Sequence, residues 1–81
     1  MKIYEIKYKK QADKFIESRT KKEKQRILAA IYNLPLGSVV KMQGYTNRYR
    51  LRVGDIRIQY EKHDDVLVIL VIRIDNRGDA Y

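Results

Sequence analysis

On either side of Gly54-Asp55 the chain alternates apolar and polar residues for the length of a strand. Before this dipeptide Tyr49, Leu51 and Val53 alternate with Arg48, Arg50 and Arg52; after it Ile56, Ile58 and Tyr60 alternate with Arg57, Gln59 and Glu61. Successive strand side chains point to opposite faces, so a period of two marks a half-buried β-hairpin. A two-residue loop at Gly54-Asp55 pairs Val53 with Ile56 and sets Arg52 directly opposite Arg57. Like charges facing one another across a sheet destabilise it. A polyanion held over that face removes the repulsion, and the planar guanidinium fork matches phosphate. Any fold for this chain therefore has to bury one face of the hairpin and leave the other for solvent or a ligand.

The remaining elements follow from the same kind of pattern. Tyr4, Ile6 and Tyr8 share one face of a first strand. Lys10 to Ser18 carries Ala12, Phe15 and Ile16 at helical spacing. Thr20-Lys21-Lys22-Glu23 has the form of a capping box, with Thr20 as N-cap and Glu23 reaching back. Ile27, Leu28, Ile31 and Leu34 then supply the apolar stripe of a second helix. Pro35 disfavours helix at Leu34 and ends it. Residues 38–47 read as irregular, and strands are expected at about 48–53, 56–62 and 66–75, with His63-Asp64-Asp65 as the second turn. The unbroken apolar run from Val66 to Ile72 points to an interior strand covered on both faces. The predicted fold is α+β, β-α-α-β-β-β, with two N-terminal helices packed on a small, largely antiparallel sheet over one domain, residues 1–81.

Net charge is +8 and the pI is near 9.8. A small domain this basic suits a polyanionic partner, most often nucleic acid; the plainer alternative is a generic basic surface. Residues 1–40 hold eight Lys and two Arg against four acids, a net +6; residues 41–81 hold two Lys and six Arg against six acids, a net +2. Lysine is a hydrated point charge and arginine a directional fork. The lysine-rich half, with Lys9, Lys10, Lys14, Lys21, Lys22 and Lys24, thus reads as general attraction to RNA backbone, joined by Arg48 on the hairpin. The arginine-rich half reads as the more directed site. The absence of cysteine excludes disulfides and Cys-based zinc sites. A charged N-terminus gives no signal peptide, and no apolar run is long enough to span a bilayer, so a cytoplasmic protein is expected.

Acid–base and metal chemistry are poorly supplied. His63 is the sole histidine, and it falls in a polar turn, where an exposed residue is expected. The Asp64-Asp65 pair lacks a partner cluster, so no metal and no cofactor is expected. What remains is Arg50, Arg52 and Arg57 on one sheet face, with Arg77 and Tyr81 just past the last strand. Arginine does not exchange protons at neutral pH, but it stabilises negative charge developing on phosphorus. Tyrosine stacks on a base or orients a reacting group. Such a set suits RNA cleavage by the substrate's own 2′-hydroxyl, which needs positioning and charge stabilisation more than a protein nucleophile.

The stretch YRLRVGDIRIQYE from Tyr49 to Glu61, followed by LVILVIRIDNRGDAY from Leu67 to Tyr81, resembles bacterial toxins of the RelE/ParE superfamily, nearest the RelE branch. That family shows Y-[KR]-x-[KR], then G-D/x-[YF]-R-x-x-Y, then a buried strand ending in G-[HK]-R and a late tyrosine. Arg50 and Arg52 match the paired basic sites, Arg57 and Arg77 the two arginines, and Tyr81 the late tyrosine. Asp75-Asn76 stands where the family has Gly and His or Lys, so no histidine acid is available there. The resemblance implies a toxin that enters the ribosomal A site and cuts mRNA without a metal, leaving a 2′,3′-cyclic phosphate and a 5′-hydroxyl. It implies a cognate antitoxin as partner, and contact with operator DNA only through the antitoxin complex. Two other readings belong to the same fold: a ParE-type poison of DNA gyrase, and a catalytically weak nucleic-acid-binding module kept as a co-repressor.

Overall fold

The computed structural model describes residues 4–34 and 39–76. Strand β1 (Glu5–Tyr8) leads into helices α1 (Lys10–Glu17) and α2 (Lys21–Tyr32); strands β2 (Val39–Lys41), β3 (Arg48–Val53), β4 (Ile56–His63) and β5 (Val68–Asn76) follow. The sheet order is β1-β5-β4-β3-β2, with β1 parallel to β5 and every other pair antiparallel. The expected helices, hairpin and last strand are all present. The segment expected to be irregular adds a three-residue edge strand, β2, whose Val40 stands opposite Arg50.

Both helices pack on one face of the sheet. Ala12 and Ile16 of α1 and Ile27 and Ile31 of α2, with Leu34 after it, are buried against Leu51, Ile56, Ile58, Tyr60, Ile69, Val71 and Ile74. The spacing of those helical residues makes a single apolar stripe, and the strand residues are the inward half of each alternation. Thr20 caps α2 by accepting a hydrogen bond from the Glu23 N–H (3.2 Å), while the Glu23 carboxylate turns to Arg19 at 3.8 Å instead of reaching back. Directly opposite one another in the hairpin, Tyr49 and Tyr60 stack with ring centroids 5.6 Å apart.

Two details depart from the alternation. The β4–β5 register slips between Gln59, opposite Arg73, and Tyr60, opposite Val71, so Ile72 is an extra residue in β5. Ile74 and Val71 consequently both face the core, an odd spacing that the apolar run conceals. Strand β5 is interior as expected, but it is not covered on both faces: its outward Val68 and Leu70 and the bulged Ile72 are only half-buried. The other departure is at the end of β1. There Lys9 donates its N–H to the Val71 carbonyl (2.9 Å), the chain turns into α1, and the Gln11 side chain takes over. Its Nε2 donates to the Ile74 carbonyl and its Oε1 accepts from the Ile74 N–H, each at 2.9 Å.

Candidate functional site

The hairpin turn forms as its sequence requires. Backbone φ is +59° at Gly54 and not positive at Asp55, the pattern of a type II′ turn, which favours glycine at its first position. Val53 pairs with Ile56, and Arg52 lies directly opposite Arg57. Arg50, two residues back on the same face, is opposite Gln59, which in turn is opposite Arg73; Arg57 is opposite Asp75. Four arginines, Arg50, Arg52, Arg57 and Arg73, therefore occupy two adjoining rows on the sheet face turned away from the helices. Arg50, Arg52 and Arg73 are exposed and Arg57 is half-buried. The Arg73 Nε donates to Asp75 Oδ2 at 2.8 Å, and the Arg52 Nε donates to the Gly54 carbonyl at 3.4 Å. Arg26 brings a further cation from α2: its guanidinium comes to 3.3 Å of where a Cβ on Gly54 would sit. Nothing in the local pattern of α2 separates Arg26 from a solvated helix charge, which is why sequence reasoning passed over it. Arg77 and Tyr81 lie outside the described residues.

The other end of the same face has a different character. Arg48 is opposite Glu61 and donates to its Oε2 at 2.8 Å, with both side chains about three-quarters buried. His63 Nε2 is 3.0 Å from Glu61 Oε1, and Asn47 Nδ2 is 3.4 Å from His63 Nδ1. His63 is therefore the last residue of β4, half-buried in a polar network, and the expectation of an exposed turn residue is corrected. The turn starts one residue later, at Asp64, because strand pairing runs on to His63 opposite Val68. The bond from Arg48 holds the Glu61 carboxyl below its usual range, with His63 adding to the effect. In return the Glu61 bond raises Arg48. Arg48, expected to contact RNA backbone, thus has its charge answered within the fold. The two-residue turn already placed it opposite Glu61, so this pairing was readable from register.

The predicted lysines gather elsewhere. Lys9, Lys10, Lys14, Lys21 and Lys22 are exposed and Lys24 is half-buried, all in or beside the helical layer. They occupy the opposite side of the sheet from the arginine rows.

Residues 4–81 match the family model described as the ParE toxin of type II toxin–antitoxin systems, parDE. The chain belongs to this family of toxins. No curated protein matches it. Among solved structures this toxin resembles the archaeal RelE–RelB complex from Pyrococcus horikoshii OT3, at 28% identity and a TM-score of 0.77, covering 93% of this chain and 96% of that one. It also resembles the RelB–RelE antitoxin–toxin complex from Methanococcus jannaschii, at 29% identity and a TM-score of 0.71, covering 93% and 94%. The isolated E. coli RelE toxin, at 15% identity and a TM-score of 0.70 over 90% of this chain and 83% of that one, shares the fold. The expected membership of the RelE/ParE superfamily and the expected α+β architecture both hold for this toxin.

Proposed function

We propose that this toxin is a ribosome-dependent, metal-independent mRNA endoribonuclease. The observation that carries the reading is the pairing of Arg52 with Arg57, with Arg50 beside them, on a sheet face that no described element covers. Opposed guanidinium groups weaken a hairpin and gain from an anion between them. In the proposed reaction the 2′-oxygen of the message attacks the adjacent phosphorus and the 5′-oxygen leaves. The products are a 2′,3′-cyclic phosphate and a 5′-hydroxyl. Arg50, Arg52 and Arg57 stabilise the charge that develops on the phosphoryl oxygens, and Arg77 and Tyr81 complete the set on the strength of the sequence motif. The lysines of the helical layer would meet ribosomal RNA on the other side.

The partner in this reading is a cognate antitoxin, since the archaeal relatives are toxin–antitoxin complexes; operator DNA would be met only through that complex, in the cytoplasm. Among the described residues no helix is long and apolar enough to cross a membrane. Arg57→Ala and Arg77→Ala are each expected to slow cleavage on programmed ribosomes by about a hundredfold, the scale of one lost transition-state charge donor. Wild-type rates in both variants would remove the arginines from the mechanism. The ParE description of the family match favours a second reading, a gyrase poison. That reading requires gyrase-dependent breaks in supercoiled plasmid and intact messages, whereas a co-repressor module leaves both plasmid and messages intact.

A further inference from the structure

We infer that Tyr45, backed by Arg48, is a stacking platform for one base of single-stranded RNA. The inference rests on the proposed RNA-cutting role and extends it from phosphate to base. Tyr45 lies on the loop between β2 and β3 and is 46% exposed, although it is a large aromatic residue beside the arginine face. The Arg48 guanidinium lies over its ring, 4.2 Å from the centroid. Arg48 is not free to swing away: Glu61 holds it at 2.8 Å, His63 holds Glu61 at 3.0 Å, and Asn47 lies 3.4 Å from His63. The loop is pinned as well. Met42 N–H donates to the Arg48 carbonyl and Lys62 N–H to the Asn47 carbonyl, each at 2.9 Å, and Gly44 takes the positive φ (+83°) that the turn demands. One ring face is thus closed by a fixed cation, while the residue as a whole stays 46% exposed.

The electrostatics select the ligand. At the far end of this face Arg50, Arg52 and Arg57 invite phosphate. At the Tyr45 end the charge of Arg48 is answered by Glu61, so this end offers a phosphate little net attraction. A flat, uncharged group is what this end can hold. A nucleobase fits that description, because every base has a π-face and aromatic stacking with a cation behind it is a general means of holding single strands. Strand geometry sets Arg50 about 7 Å and Arg52 about 13 Å along from Arg48. A strand whose phosphates rest on the arginine rows therefore has a base within reach of the platform.

The test measures single-turnover cleavage on ribosomes programmed with a synthetic message and with copies carrying one abasic nucleotide at successive positions near the cut. Wild type, Tyr45→Phe and Tyr45→Ala are compared after their melting curves are shown to agree, as expected for a residue outside the core. Losing one stacked base corresponds to about a tenfold effect. Tyr45→Ala should cut about tenfold more slowly and Tyr45→Phe close to the wild-type rate. One abasic position should slow the wild type about tenfold and leave Tyr45→Ala no slower than it already is. An undiminished rate in Tyr45→Ala, or an abasic penalty equal in both proteins, overturns the platform and leaves the nuclease reading standing. If wild type cuts no message, the nuclease reading falls and takes the platform with it. If Tyr45→Ala cuts normally but binds its antitoxin more weakly, the ring serves a protein partner and the inference is wrong.

Discussion

Tyr60 is 1% exposed and stacked on Tyr49, and burial, helped by Tyr49, pushes its hydroxyl up to about 12 from an ordinary 10.0. The consequence for stability has a definite sign. Above pH 10.0 the unfolded chain gives up this proton while the folded chain keeps it, so folding stability falls as pH rises toward about 12. Tyr60→Phe should flatten that alkaline loss. Chemical denaturation of both proteins at pH 9 and pH 11 checks it, and equal losses in the two would place the alkaline sensitivity elsewhere. The direction of Tyr60 was legible in the sequence, since it falls on the apolar side of the hairpin alternation. The fate of Arg48 was legible too, but only to a reader who carried the register as far as Glu61. Tyr45 was not, because an aromatic in an irregular stretch has no period to say which way it points, and its meaning depends on a guanidinium three residues on.

At the scale of the element, the hairpin holds a conflict between stability and use. Arg52 and Arg57 face each other, and like charges directly opposite on a sheet are destabilising. Arg52→Glu turns the pair into an attraction. The variant should melt at the wild-type temperature or higher while losing message cleavage, the combination expected when a site is kept against the interest of the fold. A lower melting temperature would show that Arg52 is there for the hairpin, through its bond to the Gly54 carbonyl. Helices and hairpin could be placed from sequence because their signals are local: the Thr20 cap, the Ile27–Ile31 stripe, the Gly54-Asp55 turn. The bulge at Ile72 could not, since Val68 to Ile72 is apolar at every position and offers no alternation to break. Nor could β2, whose three residues owe their strand to the edge of β3 and not to a pattern of their own.

The whole molecule, 34 × 26 × 23 Å, carries cations on both sides: arginines on the bare sheet face and lysines on the helical layer. Such a body suits a setting with RNA on more than one side. Changing Lys10, Lys14 and Lys21 to Gln should weaken ribosome binding and reduce the magnitude of its log–log salt slope, by up to about three times the 0.7–0.9 expected per phosphate contact. The melting temperature should hardly move, because exposed charges contribute little to folding. An unchanged salt slope would turn the helical layer away from RNA. A sheet left bare on one side also has to guard its margins. Strand β1 is too short to run the length of β5, and beyond Tyr8 the peptide of Ile74 would be an open edge. The carboxamide of Gln11 fills that place, a side chain imitating one more peptide unit. It leaves Ile74 with no bond to offer another chain. That stretch of β5 is thereby closed to pairing with a strand of another chain.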